Sequence, residues 1–242
     1  MTFNSKSHLI IVPTFNEIEN ISDFIKEFLK LDISLLVVDD NSPDGTGNYV
    51  ENIMKNQPNI YLLKRLNKLG LGSAYRDGFK WGIENGYDYL IEMDADFSHT
   101  FSDLKKIISS SYTSDVVIGS RYIFGGGSTG WDTRRKILST TANKISKIIL
   151  KSHINDMTSG FRCYSKDSLN KINYLETNSD GYSFQIEMTL RSIEQHLQIK
   201  EVPIIFNERR LGKSKMSKSI VFEALVFLLN NGTKRWLNIK IS

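Results

Sequence analysis

Asp94 and Asp96, with Ser98 close behind, follow an apolar run at 87–93 that reads as a buried strand. Carboxylate oxygens one residue apart at a strand end suit a divalent cation such as Mg²⁺ or Mn²⁺, whose other ligands come from water and a substrate's phosphates. A bare pair of this kind also fits solvated turn residues, because Asp is common in loops that leave strands. Two more strand ends bear on the choice. Ser34-Leu35-Leu36-Val37-Val38 runs into Asp39-Asp40-Asn41-Ser42-Pro43-Asp44-Gly45, and Leu9-Ile10-Ile11-Val12 runs into Pro13-Thr14-Phe15-Asn16-Glu17. In open parallel sheets ligands bind outside the carboxyl ends of the strands. Polar clusters at successive strand ends therefore point to one crevice.

The elements that must position these residues alternate in the first half of the chain. Strands are expected at 9–12, 35–38, 60–63, 88–93 and 115–119, and helices at about 18–30, 46–55, 72–85 and 102–110. That order predicts an α/β fold, Rossmann-like, with a mostly parallel sheet flanked by helices. Ile18, Ile21, Phe24, Ile25, Phe28 and Leu29 carry the helical period of the first crossover and read as core. Thr100 to Asp103 offers N-cap chemistry to the helix behind the acidic pair. After about residue 125 the pattern loosens. Gly125-Gly126-Gly127 reads as a flexible segment, a helix follows at about 136–151, and a loop runs through 156–162. A helix at about 184–196 and a strand at 199–206 close the pattern. Ser109-Ser110-Ser111 reads as a loop.

With 242 residues and 40% apolar composition the chain can bury a full core, and one domain spanning 1–242 is expected. A net charge of +4 permits an anionic partner, yet no recognised nucleic-acid motif is present, so no nucleic acid is expected. The lone Cys163 excludes a disulfide framework and reads as a small half-buried residue. His8, His99, His153 and His196 lack metal-ligand spacing, and no signal peptide is expected. Gly70-Leu71-Gly72-Ser73-Ala74-Tyr75 has Tyr75 where a dinucleotide fingerprint needs its third glycine and follows the third strand, so the glycines are expected to open a helix.

Several longer motifs are specific. The segments 12–17, 38–46, 67–72 and 93–99 resemble the family-2 glycosyltransferases. Gly119-Ser120-Arg121-Tyr122, Gly130-Trp131-Asp132 with Arg135, Thr158 to Arg162, Gly181-Tyr182 with Phe184 to Met188, and Glu201 to Ile204 resemble the dolichol-phosphate mannose synthases, or polyprenol monophosphomannose synthases, within that family. Matches run from about residue 9 to 229.

The resemblance implies a GT-A fold and transfer of mannose from GDP-mannose to a polyprenyl (dolichyl) phosphate, giving polyprenyl phosphate mannose and GDP with inversion. It implies that Pro13, Thr14, Glu17, Asp39, Asp40, Asp94 and Ala95 line the nucleotide pocket, that Asp94, Asp96 and Ser98 face Mg²⁺ or Mn²⁺, and that Arg121, Arg135, Ser139, Arg209 and Lys215 bind acceptor phosphate or donor diphosphate. His99-Thr100 departs from the pattern, since many members have proline nearby; an effect on the loop rather than the chemistry is expected. Two alternatives stay open: glucosyl transfer from UDP-glucose to the same kind of lipid, and a non-catalytic sugar-nucleotide-binding subunit.

The chemistry is coherent on its own terms. A bound divalent cation offsets charge building on a departing diphosphate. A phosphate monoester, with its second ionisation near pH 6, arrives largely deprotonated, so no general base is required. Bidentate arginine suits its oxygens, which makes Arg121, Arg135 and Arg209 the candidates, while Arg134, Arg162 and Arg210 read equally well as solvated or structural charges.

The apolar stretch 220–229 is about half the roughly 20 residues a spanning helix needs. Arg209, Arg210, Lys213, Lys215 and Lys218 precede it, and Lys234, Arg235, Trp236 and Lys240 follow. Residues 209–242 therefore read either as a surface segment at an anionic membrane or as a core helix with a solvated rim. The first reading implies a cytoplasmic enzyme, peripheral on the membrane's cytoplasmic face, with a small membrane anchor subunit as a candidate partner.

Overall fold

A computed structural model of the chain describes residues 7–208, 226–233 and 236–237. The expected alternation is present. Strands β1 (His8–Thr14), β2 (Ser34–Asp39), β3 (Ile60–Lys64), β4 (Tyr89–Glu92) and β5 (Val116–Ser120) alternate with helices α1 (Ile18–Phe28), α2 (Thr46–Met54), α3 (Leu71–Glu84) and α4 (Phe101–Ser111). Next come the short β6 (Gly127–Ser128), α5 (Thr133–Ile149), β7 (Arg162–Ser165), α6 (Lys166–Ile172), a single 3-10 turn (Tyr174–Glu176), α7 (Gly181–Glu194), β8 (Ile199–Pro203) and β9 (Ile205–Phe206).

The seven-stranded sheet has the order β3-β2-β1-β4-β7-β5-β8, and β6 pairs with β9 beside it. Two of its interior strands, β1 and β2, read as nearly continuous apolar runs because both faces are covered. Leu9, Ile11, Leu36 and Val38 pack on one side with Phe79 of α3 and with Phe184 and Met188 of α7. Ile10, Val12, Leu35 and Val37 pack on the other with Phe24 of α1, Val50 of α2 and Leu104 of α4. Helix α3 sits close to the sheet because Gly78 has no side chain: a Cβ there would stand 2.5 Å from Ile11 Cγ2.

Five local expectations are corrected. Residues 162–165 are not the end of a loop but strand β7, inserted antiparallel between β4 and β5. Four residues carry too little periodicity to announce a strand, and the first is an arginine. That Arg162 is fully buried, with Nε donating to Ser159 O (2.7 Å), Nη1 to Thr189 Oγ1 (2.7 Å) and Nη2 to Met157 O (2.9 Å), so its charge is structural. Cys163 beside it is fully rather than half buried, and burial pushes its thiol well above the ordinary range. Ser109 to Ser111 form the last turn of α4, where Ser111 Oγ pairs with His8 Nε2 at 2.9 Å. The glycine segment contributes Gly127 to β6, and the expected strand 199–206 breaks at Ile204, whose side chain turns into the core.

Candidate active site

The carboxyl ends of β1, β2 and β4 open onto one crevice of about 400 Å³. Pro13, Thr14 and Glu17 reach it from β1, Asp40 from β2, and Asp94, Ala95 and Asp96 from β4. The opposite wall comes from the second half of the chain: Arg121 after β5, Trp131 and Arg135 at the start of α5, and Thr158, Ser159 and Gly160 from the loop into β7. Because β7 runs antiparallel, its first residue, Arg162, lies beside Glu92 at the end of β4. That register delivers the 158–160 loop to the crevice. Insertion of one reversed strand completes the site.

Backbone geometry holds the acidic loop. Ser98 N–H donates to Asp96 Oδ1 (3.0 Å), and Asp94 N–H points to His99 Nδ1 (3.4 Å). His99 is buried, stacks on Phe161 at 4.6 Å, and burial pushes its pKa down to about 4, so at neutral pH it offers a lone pair rather than a charge. Among the described residues no group of three or more His, Cys, Asp or Glu side chains is placed to hold a metal. Asp94 and Asp96 both line the crevice and bring carboxylate oxygens to it. That oxygen donor set fits Mg²⁺ or Mn²⁺.

Three expected contacts lie outside the lining of the crevice. Asp39 is buried behind the wall, where its carboxylate accepts from Thr14 Oγ1 (2.9 Å), Ser42 N–H (3.0 Å) and Ser42 Oγ (2.6 Å); it ties the β1 and β2 loops together. Ser98 is fully buried, and its hydroxyl has no hydrogen-bond partner among the described residues. Ser139 on α5 shares a 2.6 Å hydrogen bond with Tyr122 Oη. Arg209 and Lys215 lie outside the described residues.

The two arginines differ. Arg121 lines the crevice, yet its fork grips Asp156, with Nε to Oδ2 at 2.8 Å and Nη2 to Oδ1 at 2.7 Å. Asp156 is fully buried, and Arg121 holds its carboxyl below the usual range against the opposing pull of desolvation. Arg135 is more open. Its guanidinium lies 4.3 Å over the Trp131 ring and 3.3 Å from Glu208 Oε1. Arg135 is the freer of the two to meet an anion.

Sequence reasoning assigns no role to several residues at the crevice. His99 lacks metal-ligand spacing; its signal is its place three residues after Asp96. Asp180 lines the crevice and accepts from Ser73 N–H at 3.2 Å, at the first turn of α3. Gly70 sits at φ +97°, and a Cβ on it would stand 2.5 Å from Asp180 Oδ2. The glycine pair thus admits a carboxylate from α7's loop. Gln185 lines the crevice while its Nε2 donates to Glu92 Oε2 at 2.7 Å; burial pushes Glu92 up to about 8, so it carries a proton at neutral pH.

A parallel sheet that ends in a carboxylate pair, faced by an arginine across a nucleotide-sized crevice, is the architecture of a GT-A glycosyltransferase. The chain belongs to glycosyl transferase family 2, whose model matches residues 9–172. It is 42% identical over 235 residues to an undecaprenyl-phosphate mannosyltransferase of Micrococcus luteus, covering 96% of this chain and 97% of that one. It is likewise 42% identical over 221 residues to a polyprenol monophosphomannose synthase of Mycolicibacterium smegmatis, covering 90% and 83%. Among solved structures it is similar to the mannosyltransferase PcManGT from Pyrobaculum calidifontis in complex with GDP-Man and Mn²⁺, with TM-score 0.60 and 14% identity over 97% of this chain and 65% of that one. S. aureus TarS 1-349 in complex with UDP gives TM-score 0.59 and 18% identity, covering 98% and 67%. These distant structures bear on the fold alone.

Proposed function

We propose that this glycosyltransferase moves mannose from GDP-mannose to a polyprenyl phosphate, with inversion at the anomeric carbon. The observation that carries the reading is the division of the crevice into a carboxylate wall at β1, β2 and β4 and a cationic, aromatic wall at Arg135 and Trp131. The relatives named for mannosyl transfer to polyprenyl phosphates match over nearly the whole chain.

In this reading Pro13, Thr14, Glu17 and Asp40 hold the nucleoside, and Asp94 and Asp96 hold Mg²⁺ or Mn²⁺. When bound, the ion offsets the charge that builds on the departing diphosphate. Arg135 aims the acceptor phosphate. An oxygen of that phosphate attacks the anomeric carbon from the face opposite the GDP, the bond to the β-phosphate oxygen breaks, and no proton needs removal because the monoester is already ionised. Arg121 contributes chiefly by fixing the 156–158 loop, and Arg209 and Lys215 would add charge from outside the described residues.

Helix α5 supports a membrane-surface location for residues 1–242 acting as one unit. It buries Asn143 and Ser146 while exposing Ile137, Leu138, Ile145 and Ile148. Residues 226–233 form a helix, and just beyond it Trp236 donates from Nε1 to Ile149 O (3.1 Å) and lies under Lys151 Nζ at 4.1 Å. Leu229, Trp236 and Leu237 are also exposed, so an apolar face rimmed by lysine continues from the helix that carries Arg135. Such a face suits an anionic bilayer surface. No helix among the described residues is long and apolar enough to cross a membrane.

Turnover with a panel of labelled sugar nucleotides and polyprenyl phosphates tests the proposal. Mannosyl lipid and GDP are expected. Glucosyl lipid from UDP-glucose, or nucleotide binding without turnover, overturns it in favour of a glucosyltransferase or a binding subunit. An added requirement for a second membrane protein would identify an anchor subunit.

A further inference from the structure

We infer that Arg65 is a positioning residue for donor binding, which keeps the Asp40 carboxylate charged and aimed so that it accepts N–H donors of the nucleotide. The inference rests on the reading of the crevice as a nucleotide site and names the device behind one of its walls.

Arg65 is buried at the end of β3, where its N–H donates to Asp39 O at 2.8 Å. Its guanidinium faces three groups. Nη1 stands 3.0 Å from Asp40 Oδ1, Nε stands 3.2 Å from Asp77 Oδ2, and Nη2 donates to Ser73 Oγ at 2.7 Å. Both ion-pair contacts are close but off-line: Asp40 Oδ1, Arg65 Nη1 and Arg65 Nε complete no hydrogen bond among the described residues. The arginine thus supplies charge to Asp40 without consuming the acceptor capacity of Oδ1. Asp40 itself lines the crevice and is nearly fully buried. A buried carboxylate oxygen without a directed donor costs free energy until a ligand or water provides one. Ring N–H and exocyclic amino groups of a nucleobase are donors of the right kind.

The charged groups facing Asp40 are Arg65, Asp39, Lys68 and Asp77. Burial raises its carboxyl above the ordinary value, Asp39 and Asp77 push the same way, and Arg65 and Lys68 oppose them. Removal of Arg65 therefore leaves Asp40 taking up a proton at higher pH, and a protonated carboxyl loses the charge that makes it a strong acceptor.

Calorimetric GDP binding from pH 5 to pH 8 tests this in the full chain, with thermal melting as a control on folding. In Arg65→Gln, affinity should fall about tenfold or more at pH 6, the weight of one pKa unit, and recover as pH rises. Arg65→Lys should restore most of the wild-type profile, whose fall towards pH 5 is shallower than that of Arg65→Gln. Wild-type binding in Arg65→Gln overturns the inference, and so does a loss equal at every pH, which marks a merely structural role. Should Arg65→Gln not fold, Asp77→Asn decides: freed from a competing carboxylate, Asp40 should bind GDP more tightly than wild type at pH 5, and no change overturns the inference. If the wild type prefers UDP, the guanosine donor reading falls, and the same series run with UDP decides the role of Arg65 by the same outcomes.

Discussion

The two walls of the crevice are built on opposite plans. The wall from β1, β2 and β4 is sealed: Leu9 to Val12, Leu35 to Val38 and Leu90 to Ile91 are fully buried, and acidic loops such as Asp39 on Thr14 and Ser42 are cross-braced. The wall from α5 is inside out, with Asn143 Nδ2 donating to Thr158 Oγ1 at 3.1 Å while four aliphatic side chains face outward. A nucleotide and a metal demand fixed oxygen geometry, which a packed sheet supplies. An acceptor with a long apolar tail demands a surface that stays apolar outside the protein. On the proposed function, the difference between the walls matches the chemistry of the two substrates.

The comparison is most exposed at Asp96. Replacing it by Asn should lower turnover by roughly 10²–10³-fold, the usual cost of losing one charge-stabilising group, while the melting temperature stays near wild type. Near-normal metal-dependent turnover would remove the carboxylate wall's assigned role.

Stability against pH probes the sealed half at its other end. His8 is buried between Ser7 and Ser111, and burial pushes it down to about 4. Its folded pKa lies below its unfolded value, so the unfolded chain takes up the proton first. Stability is full above about pH 6.5 and falls as pH drops towards 4, by about 3 kcal/mol for a shift of this size. His99 adds loss of the same sign. Denaturant titrations at pH 7 and pH 5 should show the decline, and His8→Gln should flatten part of it; an unchanged slope would show that His8 is not held neutral.

On the open wall, Arg135→Ala should weaken use of the lipid phosphate by about 1.5–3 kcal/mol and leave GDP binding nearly intact. Lysine should rescue poorly, lacking the planar fork. Equal losses for acceptor and GDP would erase the division between the walls. The smallest effect is expected from Ile145→Ser with Ile148→Ser, which should weaken sedimentation with anionic vesicles at low salt while costing roughly 0.5 kcal/mol or less in stability, as for exposed positions. Rising salt should release the wild type, because screening weakens surface attraction. Indifference to vesicles would return α5 to the status of an unexplained surface.

Much of the sealed half was legible in the sequence because its signals are local. Each strand there is a continuous apolar run ending in a polar turn, and Thr100 caps α4 by accepting from Asp103 N–H, as its residue type predicts. The fold class and the convergence of three strand ends rest on such signals, whereas Arg135 was singled out through the family resemblance. The other half was less legible. The β7 residues Arg162-Cys163-Tyr164-Ser165 have no strand period of their own, and α5 follows the helical period with its polarity reversed.

The sequence by itself determined the parallel frame and the carboxylate wall, since residues adjacent in the chain remain adjacent at a strand end. Tertiary structure alone decided which arginine is the more open. Arg121 and Arg135 look alike as residue types, but Asp156, 35 positions from Arg121, meets one of them and not the other. It decided too that Asp39 braces while Asp40 faces the crevice, because successive side chains leaving a strand point to opposite sides. Which side holds the crevice depends on pairing with strands far along the chain.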